Sequence, residues 1–168
     1  MVPGDFQTRQ AVPEDAGAIA LAHLDSIRSI GPEFYPPDVV EAWCAGLTAD
    51  VYVNAMHGGE AFFVATGRLE DQTAVLGFST HRVDDSQDGA SVYVRGSVAR
   101  RGIGTELLRL AETHALAHGA TTIQIQASLA GVEFYKANGF VELGRGEAAL
   151  MSGQSMPCVF MRKVLTKP

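Results

Sequence analysis

The short apolar stretch Val92-Tyr93-Val94 runs into a loop with two closely spaced glycines, Gly102 and Gly104, and then into a helical pattern. Leu107, Leu108, Ala111 and Ala115 recur at helical spacing after it, and Gly119 is placed to end the helix. A strand, a glycine loop and a helix in that order commit the chain to an α/β layer. They also make an anion site, because the first amides of a helix lack helical partners and carry partial positive charge. Gly102 and Gly104 have no Cβ to keep a phosphate off the backbone, and Arg100 and Arg101 bring cations beside it. Two common phosphate loops do not fit. A Walker loop has four residues between its glycines and then Lys-Ser/Thr, whereas five residues separate Gly96 from Gly102 and Ile103 follows. A dinucleotide fingerprint needs an early βαβ unit and a third glycine at the position of Leu107.

The remaining pattern predicts β-α-α-β-β-β-α-β-α-β-β. A first strand over 6–9 precedes a helix opened by Pro13-Glu14-Asp15, with Ala16, Ile19, Ala20, His23, Leu24, Ile27 and Ile30 as its apolar stripe. His23 on that stripe reads as a packed core or pocket-edge residue rather than a base. Gly31-Pro32 breaks the helix, Phe34-Tyr35-Pro36-Pro37 makes a rigid aromatic loop, and a second helix carries Val40, Trp43, Cys44 and Leu47. Strands are expected over 61–66 and 74–81, joined by a polar loop over 67–73. Residues 84–89 read as an acidic turn before a strand over 91–94. The later elements are a helix from 104 to about 118, a strand over 121–127, a helix over 131–137, and strands over 140–143 and 158–164. A long loop joins the last two.

At 168 residues the chain fits one domain, 1–168. Its net charge of −6, from 13 Lys+Arg against 19 Asp+Glu, argues against a nucleic-acid partner, which would need many cationic contacts. No apolar run approaches the roughly 18 residues of a membrane span, and no signal peptide is visible, so no membrane partner is expected. Cys44 and Cys158 lie far apart without metal-ligand spacing, which points to a reducing, cytoplasmic setting. His114 and His118 are four apart near a helix end, with no HExxH glutamate between them. Favourable dipole charge is the simpler reading of that pair, and no metal is expected.

Arg101-Gly102-Ile103-Gly104, followed by Glu106-Leu107-Leu108, resembles the acetyl-CoA loop of the GNAT N-acetyltransferase superfamily, Gln/Arg-x-x-Gly-x-Gly/Ala after a hydrophobic strand. Ala99 stands at the usual Gln/Arg position, Arg100 replaces a common glycine, and Gly96 occurs where proline is frequent. A second segment, residues 126–140, is similar to the superfamily's Asn-x-x-Ala-x-x-Phe-Tyr-x-x-x-Gly-Phe. Phe134, Tyr135, Gly139 and Phe140 match it, while Ser128 and Gly131 replace Asn and Ala. Phe34-Tyr35-Pro36-Pro37 with Trp43 resembles a bacterial branch of the same family.

The resemblance implies a central, mostly antiparallel mixed sheet of six to seven strands flanked by about four helices. It implies acetyl-CoA as acyl donor and a small-molecule or peptide amine as acceptor, reacting by direct attack in a ternary complex. The donor would be held by Val92, Tyr93 and Val94, by Ala99, Arg100, Arg101, Gly102, Ile103, Gly104 and Thr105, and by Ser128, Phe134 and Tyr135. Tyr135 would be the general acid, since a phenol of pKa ~10 can protonate a leaving thiolate of pKa ~8.5. Glu33, Tyr35, Trp43 and His81 are acceptor-side candidates, with Met151 and Met156 as further lining, and Glu33 and His81 are also candidate bases. The family further admits a homodimer. A non-catalytic acetyl-CoA sensor is the alternative reading.

Overall fold

Alternation of apolar and polar residues builds the strands, and the side chains of each strand divide between two covered faces. Along Ala61-Phe62-Phe63-Val64-Ala65 every residue is buried, Phe62 and Val64 in one cluster and Ala61, Phe63 and Ala65 in another. This strand therefore has helices on both sides. The computed structural model describes residues 5–167.

Seven strands form one sheet: β1 (Phe6–Gln10), β2 (Ala61–Leu69), β3 (Gln72–Asp84), β4 (Gln87–Val94), β5 (Thr122–Ser128), β6 (Val141–Ala149) and β7 (Ser155–Val164). Their spatial order is β1-β2-β3-β4-β5-β7-β6, antiparallel throughout except for the β4–β5 pair. The helices are α1 (Ala16–Ile30), α2 (Pro37–Cys44), α3 (Ala49–His57), α4 (Ile103–Ala117) and α5 (Val132–Ala137). Helices α1 to α3 pack on the face carrying Phe62, Val64 and Phe78, and on the apolar residues of β7. Helices α4 and α5 cover the opposite face, where Leu107, Leu108, Val132 and Tyr135 meet Leu76, Ile123 and Ile125.

The single α/β domain and its seven strands agree with expectation, with three differences of detail. Among the described residues there are five α-helices rather than about four, because 49–57 forms α3. Its Val51-Tyr52-Val53 core has weak helix propensity, and burial of Tyr52 against α1 and the sheet outweighs it. The two hairpin loops shrink to Glu70-Asp71 and Asp85-Ser86, each with two positive φ angles, so β3 and β4 are longer than the turn signals suggested. The expected long loop before residue 158 is mostly strand, since β6 and β7 stay paired from Val141↔Arg162 to Ala149↔Ser155.

Candidate active site

The β4–β5 pair is where the sheet opens. The two strands share one paired position, Gly89↔Gln124, and beyond it the parallel ladder stops although β4 continues to Val94 and β5 to Ser128. Arg95 N–H bonds to the Leu76 carbonyl at 2.8 Å, on the β3 side. By alternation the amides of Val92 and Val94 then face the opening. The Val92 amide finds a side chain there, donating to the Tyr135 hydroxyl at 3.2 Å. Tyr135 is buried among Phe134, Phe140 and the α5 side of the sheet, and this burial pushes its phenol above the ordinary value. It is a neutral phenol across neutral pH, with one lone pair engaged by a backbone amide.

At the far end of β4 the chain turns through 95–102 into α4. Gly102 precedes the helix with φ 84°, a left-handed conformation that glycine adopts without Cβ strain. The first intrahelical bond runs from Glu106 N–H to the Gly102 carbonyl, and no side chain caps this end. The amides of Ile103, Gly104 and Thr105 therefore have no partner within the helix, the arrangement that suits an anion. A Cβ on Gly104 would lie 3.0 Å from the Phe134 ring, so glycine lets α4 and α5 approach where both border the opening. Ala99, Arg100 and Arg101 are all exposed on the loop, Arg100 with φ 62°. Ser128 closes β5 on the other side of the gap and its carbonyl accepts from Gly131 N–H at 2.9 Å.

The acceptor-side candidates do not all gather. Tyr93 points away from α4 into a ring cluster, 4.0 Å from His23 and 5.5 Å from Phe78 between centroids. Trp43 sits edge-on to both Tyr93 and Tyr35. Tyr35 and Trp43 are nearly fully buried, and the Tyr35 hydroxyl is spent inside the protein: it donates to the Pro157 carbonyl at 2.6 Å and accepts from Leu129 N–H at 2.8 Å. Met156 is likewise core, whereas Met151 is exposed at the β6–β7 turn and Glu33 is exposed after α1.

His81 lies on the other face of the sheet from Tyr35 and Trp43, covered by α4. Its Nε2 donates to Asp88 at 2.6 Å and its Nδ1 meets Nδ1 of His114 at 2.8 Å. The structure therefore does not bring His81 together with those aromatics. It belongs instead to a cleft of about 590 Å3 at the end of the sheet away from the α4 start, shared with Glu60, His114 and His118. The His114 and His118 rings are stacked at 4.1 Å rather than converging on one point. Among the described residues no group of three or more His, Cys, Asp or Glu is arranged to hold a metal ion.

One buried residue escaped notice as a polar centre. His23 accepts from or donates to the Tyr52 hydroxyl through Nδ1 at 2.8 Å, its Nε2 has no partner, and burial lowers its pKa to about 3. Its place on the α1 stripe predicted the packing, but nothing local marked Tyr52, on the unforeseen α3, as its partner.

The site is thus an open parallel strand pair beside an uncapped helix start, with a buried phenol on the intervening amide, in an α/β domain. The family model described as acetyltransferase (GNAT) domain matches residues 33–160, and this chain belongs to that family. Comparison with functionally curated proteins gave no match. Among solved structures, a GCN5-related N-acetyltransferase from Rhodopseudomonas palustris is 26% identical with a TM-score of 0.82, covering 98% of this chain and 99% of that one. The PaiA N-acetyltransferase of Thermoplasma acidophilum, solved with coenzyme A, shares the fold at 16% identity and TM-score 0.72, over 95% of this chain and 98% of that one. A phosphinothricin acetyltransferase of Sinorhizobium meliloti, solved with acetyl-CoA, does so at 21% and 0.66, over 98% and 93%.

Proposed function

We propose that this protein transfers an acetyl group from acetyl-CoA to a primary amine of a small molecule or peptide, by direct attack in a ternary complex. The observation that carries the reading is the Tyr135 hydroxyl on the Val92 amide, inside the only stretch where two neighbouring strands of the described sheet part. The donor's pyrophosphate would lie on the amides of Ile103, Gly104 and Thr105, and its pantetheine arm along Val92 and Val94. The Val94 amide, the other one that faces the gap, can polarise the thioester carbonyl, as an oxyanion-hole donor does.

The amine nitrogen then forms a bond to the carbonyl carbon, the C–S bond breaks, and the thiolate takes the phenolic proton of Tyr135. Solvent returns that proton to the phenolate as the amine loses its own. Burial raises the phenol, but a thiolate released in the same apolar surroundings is raised by the same desolvation, so donor and acceptor stay matched. Coenzyme A or acetyl-CoA in two of the structural neighbours supports the donor, and the family supports acetyl transfer.

The test is thiol release from acetyl-CoA against a panel of amines and short peptides. Tyr135→Phe is expected to lower kcat by roughly 10²-fold or more while acetyl-CoA affinity is kept. Unchanged turnover in Tyr135→Phe removes this residue from the mechanism. Specific acetyl-CoA binding without thiol release on any acceptor favours a sensor instead.

A further inference from the structure

Both lips of the β4–β5 gap are tied to the same helical unit, and each tie is made by one side chain. On the β4 lip, Asp25 of α1 accepts from the Gly96 amide at 3.0 Å and lies 3.8 Å from the Arg95 guanidinium. The Ser29 hydroxyl donates to the same carboxylate oxygen at 3.3 Å. Arg95 is itself fixed to β3 through its Nε on the Val75 carbonyl at 2.8 Å. On the β5 lip, Tyr35 in the turn between α1 and α2 holds the Leu129 amide, the residue directly after β5, and at the same time the Pro157 carbonyl of β7.

This arrangement accounts for a residue the loop pattern left unexplained. Gly96 stands where the resembling family often has proline, and proline has no N–H to give Asp25. A Cβ at Gly96 would also collide with the Ser29 side chain. The loop here is therefore built to lie against α1 and to bond to it.

We propose that α1 and the turn following it brace the cleft, with Asp25 and Tyr35 as positioning residues that set the gap's width for the donor's pantetheine arm. The inference rests on the donor reading above. A sheet opened between parallel strands has lost the ladder that would otherwise fix the spacing of those strands. A brace across the face restores that constraint without filling the opening. Tyr35 serves in it through two satisfied hydrogen bonds, which makes it a support of the site and not a wall that touches acceptor.

The experiment is calorimetric titration with acetyl-CoA of the wild type, Asp25→Ala, Asp25→Asn, Tyr35→Phe and the Asp25→Ala/Tyr35→Phe double variant. Tyr52→Phe, which loses one buried hydrogen bond to His23 and touches neither tie, is the control. Unfolding midpoints without ligand show that each protein is folded at the titration temperature. Asp25→Ala and Tyr35→Phe are each expected to weaken binding by about tenfold, the scale of a lost hydrogen bond to a constrained group. Asp25→Asn keeps an acceptor for the Gly96 amide and recovers most of the loss, and Tyr52→Phe binds as wild type. Because both ties set one width, the double variant loses clearly less than the product of the two factors, whereas independent sites multiply.

Wild-type affinity in Asp25→Ala and Tyr35→Phe, or a double variant that loses the full product, overturns the brace. Should Tyr35→Phe fail to fold, the Asp25 pair decides alone: equal binding by Asp25→Ala and wild type refutes the proposal. Absence of binding by the wild type itself overturns the donor reading, and the brace with it.

Discussion

Single side chains in this protein do work that their neighbours in sequence do not announce. His23 is an example: only 9% exposed, it is ringed by Tyr52, Phe78 and Tyr93, with one nitrogen unpaired. Folded, it holds off protonation until about pH 3, against 6.5 for the free side chain. The unfolded chain therefore takes up a proton that the native state refuses. His23's contribution to stability is complete above pH 6.5 and declines as the pH falls from there towards 3. His114, lowered chiefly by burial and then by its two histidine neighbours, adds in the same direction. Urea unfolding is expected to show a loss on the order of 2 kcal/mol between pH 7 and pH 5 from His23 alone. His23→Phe should flatten that slope, and an equal slope in the variant would assign the dependence elsewhere.

At the scale of elements, strand ends and turns were the least legible part of the chain. Asp85-Ser86 and Glu70-Asp71 form two-residue hairpin turns with φ of 47° and 65°, and 48° and 64°. Such turns ordinarily use Asn-Gly or Gly-Gly, and polar pairs without glycine read as longer solvated loops. The flanking ladders offset the strain: β2 pairs with β3 from Ala61↔His81 to Leu69↔Gln72, and β3 with β4 from Gly77↔Val94 to Asp84↔Gln87. Relief of that strain is a direct prediction. Ser86→Gly should raise the unfolding free energy by about 1 kcal/mol, measured by denaturant titration, since glycine reaches the left-handed region without the Cβ penalty. A destabilised variant would mean that the Ser86 side chain contributes more than its backbone costs. Helix α3 was missed for a related reason: its fit to α1 and the sheet outweighs a sequence poor in helix formers.

The whole molecule joins two surfaces at one opening, the α4 start on one side and the α1–α2 unit on the other. A ligand that binds only this assembled state stabilises it by mass action. Acetyl-CoA at a hundred times its dissociation constant should add ~2.7 kcal/mol and raise the unfolding midpoint by roughly 5–10 °C. NADH and ATP, which lack the pantetheine arm and thioester, are the controls. An acetyl-CoA-specific shift is the expected outcome, and no shift at saturation would refute the donor reading for the folded chain.

The sequence by itself determined the α/β class, most of the element order, the glycine-bearing start of α4 and the Phe134-Tyr135 segment. These are properties of contiguous residues, where periodicity, missing Cβ atoms and local spacing act over a few positions. Only the tertiary structure decided that the Tyr135 hydroxyl meets the Val92 amide, that Tyr35 is spent on Leu129 and Pro157, and that His81 turns to Asp88 and His114. Those outcomes join residues between 7 and 122 positions apart. They depend on which face of the sheet each side chain takes and on where the β4–β5 ladder ends. That end point follows from how all seven strands and five helices pack together, which no local window contains.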